Sequence, residues 1–231
     1  MIQITWLGHA AFALRFPGSE VLILDPWLEG NPKYPANYKI ERVDGIALSH
    51  AHFDHVNDVI PLAKKFSPTL VGIFETTSWF EKKGVKNTIG MNKGGTVDLG
   101  YVKLTMTHAL HSCSIKDGDN SVYGGEAAGY VLTFQDGRRA YFAGDTAVFG
   151  DMKLIGEIYH PELAFLPIGD HYTMGPDQAA FAARFVGAKQ VIPMHYGTFP
   201  ALTGRPEALA QLVEADGIEV ITMEPGQAIE W

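Results

Sequence analysis

The sequence predicts an α/β protein built as a four-layer αββα sandwich, and three observations carry that reading. A β-rich opening gives way to alternating strands and helices, the second half repeats strands followed by helices, and chemically active residues recur directly after strands. Residues 2–6, 12–16 and 21–24 read as short strands joined by turns at Gly8 and at Pro17-Gly18, which makes a meander. Residues 25–35 break the pattern with Pro26, Gly30, Pro32 and Pro35, so this segment is a loop. A strand at 45–49, a helix at 58–66, a strand at 69–74 and a helix at 76–83 ended by Gly84 follow. Residues 97–107 contain strands, and 112–126 form a polar, glycine-rich span before strands at 129–134 and 139–143. Helices at 151–158 and 177–186, the latter opened by Gly175-Pro176, alternate with strands at 163–166 and 190–193, and 205–215 is the last helix. Two sheets, each covered on its outer face by helices, give the four layers, with strand-end loops along one edge.

Composition narrows the class of function. The chain of 231 residues is long enough to bury a sizeable core, and a single domain spanning 1–231 is expected. Hydrophobic residues make up 46% and charged residues 19%, the balance of a soluble globular protein rather than a disordered one. A net charge of −8 with only 18 scattered Lys and Arg argues against a broad nucleic-acid-binding surface. The N-terminus lacks a positively charged n-region and reaches His9 before any long apolar run, so it does not read as a signal peptide, and no stretch spans a bilayer. The lone Cys113 rules out an intramolecular disulfide and fits a reducing, cytoplasmic setting.

The strongest functional signal is His50-Ala51-His52-Phe53-Asp54-His55, an H-x-H-x-D-H run directly after the apolar residues 45–49. Side chains alternate in an extended segment, so His50, His52 and Asp54 project the same way, and a turn beginning near Phe53 brings His55 toward them. Three imidazoles and a carboxylate converging at one strand end form a metal cradle. Further candidates follow later strands: His108 and His111 after 102–107, Asp145 after 139–143, and His195 after 191–194. Each alone reads as a turn former, a cap or an isolated histidine. Their recurrence beside the H-x-H-x-D-H run makes them the candidate ligands from other strand ends.

This succession resembles the metallo-β-lactamase superfamily in order and spacing, from His50, His52, Asp54 and His55 through His111 and Asp145 to His195. Trp6-Leu7-Gly8-His9, Leu24-Asp25-Pro26, His111-Ser112, Pro167-Ile168-Gly169-Asp170 with Thr173-Met174-Gly175-Pro176, and Pro193-Met194-His195-Tyr196-Gly197-Thr198 look like its compact metal-dependent hydrolase branch. That branch is related to L-ascorbate phosphate lactonase and to the N-acylphosphatidylethanolamine phospholipase D-like enzymes. The resemblance runs from Trp6 to Thr198 and implies the superfamily's αββα fold with a two-metal site. It implies His50, His52 and His111 on one metal, Asp54, His55 and His195 on the other, and Asp145 bridging. Two divalent ions sharing a water lower its pKa toward neutrality and polarise the carbonyl or phosphoryl oxygen under attack. The expected enzyme is therefore a dinuclear hydrolase using a metal-bridging hydroxide on a small lactone, ester or phosphoester. The alternatives are a phosphodiesterase acting on lipid or nucleotide phosphodiesters, and a non-catalytic metal or ligand sensor. Zinc and manganese are the favoured metals, with iron and nickel open because an all-His/Asp site suits several.

Other residues carry alternatives. His108 competes with His111, but the following Ser112 matches the family's His-Ser pair, so His111 is assigned. His9 follows a short strand and a glycine, and is either an eighth ligand or a histidine satisfied by backbone carbonyls. Asp25 either orients a ligand imidazole or closes the loop ahead of Pro26. Asp54, Asp170 and His171 are the candidate catalytic residues. His171 would protonate a leaving group, unless Asp170 merely caps a turn and His171 faces solvent. Cys113 matches no ligand position of the family and reads as a bystander. Trp27, Tyr34, Tyr38 and Tyr123 are candidate walls of a cleft, or ordinary loop packing. The expected partner is a small-molecule substrate, with no nucleic acid, no membrane insertion and a homo-oligomer left open.

Overall fold

The structure, a computed structural model, describes all residues 1–231, and these form two compact units, each discontinuous in sequence. The first comprises Met1–Lys93, Ser112–Ala127 and Met223–Trp231, the second Gly94–His111 and Ala128–Thr222.

In the first unit, β1 (Gln3–Trp6), β2 (Phe12–Arg15) and β3 (Val21–Leu24) form the antiparallel meander. Parallel β4 (Gly45–Ala47), β5 (Thr69–Ile73) and β6 (Thr88–Met91) extend the sheet beyond β3. Helices α1 (Phe53–Val56), α2 (Val59–Phe66) and α3 (Phe74–Lys82) lie between these strands in sequence. Ala13, Ile23, Ile46 and Leu70 on one face of the sheet cluster with Val59 and Leu62 of α2 and Phe80 of α3. The other face is equally dry, with Ile4, Phe12, Leu14, Leu22 and Leu24 fully buried. Strands buried on both faces read as continuous apolar runs, which is why Val21 to Leu24 carries no polar residue.

In the second unit, β7 (Thr96–Asp98), β8 (Val102–His108), β11 (Ala128–Phe134) and β12 (Arg139–Phe142) are antiparallel. They continue into parallel β13 (Leu163–Pro167), β14 (Gln190–Met194) and β15 (Glu219–Val220). Helices α4 (Met152–Tyr159), α5 (Pro176–Val186) and α6 (Pro206–Val213) contribute Met152, Ile155, Ala179, Ala183, Leu209 and Val213 to the core, against Val131, Tyr141, Ala164 and Val191 of the sheet. Pro176 opens α5 where a missing N–H costs nothing, and Gly187 closes it in the left-handed region. No helix is long and apolar enough to cross a membrane.

Several elements differ from the sequence expectation. The strand expected to reach residue 49 ends at Ala47. Leu48 still bonds Val71 in the ladder, but the Ser49 N–H turns to the Asp25 carboxylate at 2.7 Å, and a side chain thereby takes the chain out of the sheet. The H-x-H-x-D-H run consequently occupies a loop and the single turn α1, with His55 N–H bonded to the His52 carbonyl. The span 112–126 is not all loop. It contains a hairpin of β9 (Ser114–Asp117) and β10 (Asn120–Tyr123), paired around Gly118-Asp119. Every residue of β10 is exposed, so no burial alternation betrays it in the sequence. The strands β6, β15 and β16 (Ala228–Glu230) were also not predicted, being short or, in β6, interrupted by Gly90.

Candidate metal centre

Each unit gathers one set of donors at the ends of its strands. In the first unit, the turn after β1 carries His9 at φ 57°, held there by the Trp6 indole, which donates to the His9 carbonyl at 3.0 Å. Gly8 precedes it at φ 91°, and a Cβ there would lie 2.7 Å from the Lys33 backbone. Only glycine meets both demands, so Gly8 lets the loop after β3 close over the turn. The His9 ring is fully buried, meets Trp27 edge-on at 5.1 Å between centroids, and brings Nε2 to 3.2 Å from Asp54 Oδ2.

Asp25, at the end of β3, is fully buried and organises the rest of the set. Its Oδ2 accepts from Ser49 Oγ at 2.5 Å and from His55 Nδ1 at 2.8 Å. The Ser49 hydroxyl has one proton, and when that goes to Asp25 the oxygen can only accept from His50 Nδ1, 3.0 Å away. With Asp25 ionised, this chain of bonds places the proton on Nδ1 of both His50 and His55, whose ring centroids lie 4.1 Å apart. Burial pushes the Asp25 carboxyl up, and the contacts from His55 and Ser49 pull only partly against it. A cation on the far side of His55 would favour the ionised form. His50 Nε2 also lies 2.9 Å from His52 Nδ1, and His52 Nε2 faces Ser112 Oγ at 3.4 Å.

In the second unit, Asp145 is buried just after β12, with Oδ2 3.0 Å from His195 Nε2 and 3.7 Å from His111 Nε2. His195 leaves β14 at φ 58°, and Gly169 packs so closely that a Cβ on it would run into the His195 carbonyl. His111 sits in the loop after β8. His108, the last residue of β8, is instead exposed, its ring against Phe149 at 5.1 Å. Asp170 and His171 form an exposed turn after β13, both at positive φ (65° and 55°), with the His171 ring edge-on to Tyr172 at 4.4 Å.

Donors around a tetrahedral ion with metal–nitrogen bonds of about 2.0–2.1 Å stand about 3.3 Å apart. The spacings 2.9 Å for His50/His52, 3.2 Å for His9/Asp54, and 3.0 and 3.7 Å for Asp145 with His195 and His111 fit that chemistry. Imidazole and carboxylate donors suit divalent first-row ions.

Of the aromatic residues expected at a cleft, Trp27 contacts His9 and Phe53. Tyr34 and Tyr38 pack on the apolar core of the first unit, joined by a bond from the Tyr34 hydroxyl to the Tyr38 carbonyl, and Tyr123 is exposed on β10. Cys113 is half-buried with Sγ 3.3 Å from the Gly124 carbonyl, and burial pushes its thiol up, away from thiolate reactivity. Sequence reasoning assigned no role to Trp6, Ser49 or Thr146, each of which holds a candidate ligand loop through a hydrogen bond that spacing does not encode.

Comparisons with known proteins point the same way. A model of the β-lactamase superfamily domain matches residues 20–196. A UPF0173 metal-dependent hydrolase of Solibacter usitatus is 57% identical over 230 residues, covering 100% of both chains. One from Koribacter versatilis is 52% identical over 227 residues, covering 98% of this chain and 97% of its own. Among solved structures, the metallo hydrolase Igni18 from Ignicoccus hospitalis aligns with a TM-score of 0.87 at 34% identity, covering 100% of this chain and 99% of its own. The metallo-beta-lactamase fold protein YhfI from Bacillus subtilis aligns at a TM-score of 0.75 with 17% identity over 100% of this chain and 99% of its own, a likeness of fold alone.

Proposed function

The chain belongs to the β-lactamase superfamily, has the metallo-β-lactamase fold and is related to metal-dependent hydrolases throughout its length, and on that premise we propose a dinuclear hydrolase of small lactones, esters or phosphoesters. In this reading His50, His52 and His111 hold one divalent ion, Asp54, His55 and His195 the other, Asp145 is shared, and His9, 3.2 Å from Asp54, is a further candidate ligand. When bound, such ions supply hydroxide near neutral pH and polarise the oxygen of the bond under attack. Zinc or manganese is the metal proposed.

The observation that carries this reading is the pair of hydrogen-bond branches from Asp25, one directly to His55 and one through Ser49 to His50. It engages the Nδ1 atoms of two buried imidazoles and so turns their Nε2 atoms away from Asp25 and Ser49, an arrangement suited to holding a cation. Asp145 stands on the other side of its imidazoles, its carboxylate close to the Nε2 atoms of His195 and His111, as a group sharing an ion with them would. The turn of Asp170 and His171 is proposed as the edge of the site, with His171 able to give a proton to a departing alkoxide.

The test is hydrolysis of a panel of lactones, aryl esters and phosphodiesters before and after chelation and dialysis. The reading predicts turnover that chelation abolishes and added zinc or manganese restores. Turnover that survives complete metal removal overturns it. A preference of orders of magnitude for phosphodiesters would assign the phosphodiesterase alternative instead.

A further inference from the structure

His111 lies in a loop with no helix or strand of its own, yet its Nε2 stands at a defined 3.7 Å from Asp145. What fixes it is the residue next to Asp145. The Thr146 hydroxyl accepts the Leu110 N–H at 2.9 Å and donates to the Ala147 carbonyl at 2.7 Å, while the Ala147 N–H bonds the Leu110 carbonyl at 3.1 Å. Both polar groups of the Leu110 backbone are thereby tied to the segment that carries Asp145. The Thr146 carbonyl also accepts the Met174 N–H at 3.2 Å, so the loop after β13 joins the same junction. Thr146 is fully buried, and its β-branch restricts χ1, which keeps the hydroxyl in one place.

We infer that Thr146 is a positioning residue for metal binding: it sets where His111 stands relative to Asp145 by clamping Leu110, one residue before the histidine. A strand pair would do this with backbone groups alone. Here the chain has already left β8 at His108, and a side-chain oxygen takes the place of the missing ladder acceptor. Valine at 146 keeps the shape and removes the acceptor; serine keeps the acceptor and loosens it. The inference rests on the proposed function in assigning His111 as a ligand, but the clamp itself is testable without metal.

The experiment compares wild-type protein with Thr146→Val, Thr146→Ser, His111→Ala and the Thr146→Val/His111→Ala double variant, using two readouts. In the metal-free chain, amide exchange at Leu110 should quicken about fivefold in Thr146→Val and stay near wild type in Thr146→Ser, the scale of a lost bond of about 1 kcal/mol net. Zinc affinity by chelator competition should fall about 10- to 100-fold in Thr146→Val, recover in Thr146→Ser, and fall no further in the double variant than in His111→Ala. Unchanged Leu110 exchange, wild-type zinc affinity in Thr146→Val, or independent addition of the two substitutions overturns the inference. Wild-type protein that binds no zinc overturns the proposed function, whereas wild-type binding matched by Thr146→Val overturns the positioning role alone.

Discussion

Asp25 Oδ2 and His55 Nδ1 lie 2.8 Å apart, with both side chains wholly excluded from solvent. A carboxylate in that position decides which imidazole nitrogen is left to face a ligand, and through Ser49 it does the same for His50.

Asp25→Asn should therefore weaken metal binding more than it weakens the fold. The amide keeps one acceptor but turns a donor toward Ser49 or His55, so one tautomer is lost. The expected outcome is a loss of about 10- to 100-fold in zinc affinity by chelator competition, with circular dichroism unchanged. Wild-type affinity in this variant would show that Asp25 only closes the loop before Pro26.

Gly169→Ala tests the seat of His195. Its methyl group would collide with the His195 carbonyl, a backbone atom that cannot turn aside. Overpacking of this kind costs about 1–3 kcal/mol, so the melting temperature should fall and metal affinity with it. A variant as stable as wild type would mean that the loop after β13 moves freely.

Phe53, between two proposed ligands, is half exposed and meets Trp27 edge-on at 5.7 Å, making an aromatic wall beside Asp54. Phe53→Ala should lower kcat/KM for aryl esters by about tenfold, the worth of about 1.4 kcal/mol of lost apolar contact, and leave acetate esters of small alcohols unchanged. Equal losses on both classes would argue for a disturbed α1 rather than a recognition surface.

Asp44 supplies a pH dependence remote from the metal ligands. Partial burial pushes its carboxyl up, but the Arg42 guanidinium, the Val21 N–H and Arg15 outweigh that and hold it below the ordinary 3.8. A depressed folded-state value means stability that is present above the unfolded value and lost as pH falls through the folded one. Asp44→Asn should cost about 0.5 kcal/mol in urea unfolding at pH 7, small because solvent screens the pair, and the difference should fade below pH 4. A cost independent of pH would assign the effect to packing.

The proposed ligands were legible because metal chemistry needs rare residue types, so His50, His52, Asp54 and His55 stand out as a run, and Asp145 and His195 through their recurrence after later strands beside it. The β/α alternation was legible because strands such as Val21–Leu24 and Leu163–Pro167 are apolar throughout. What the sequence hid was set by contacts between distant segments. Ser49 ends a strand early only because Asp25 lies opposite, Thr146 acts only because Leu110 passes it, and exposed β10 exists only as the partner of β9. Threonine and serine occur too commonly for spacing to single them out.

The most direct test of the account is elemental analysis of the full chain purified without a chelating tag and reconstituted with zinc or manganese. Two divalent ions per chain, falling when Asp145 is replaced by Asn, are predicted. No bound metal after reconstitution would contradict the dinuclear centre and the hydrolase built on it.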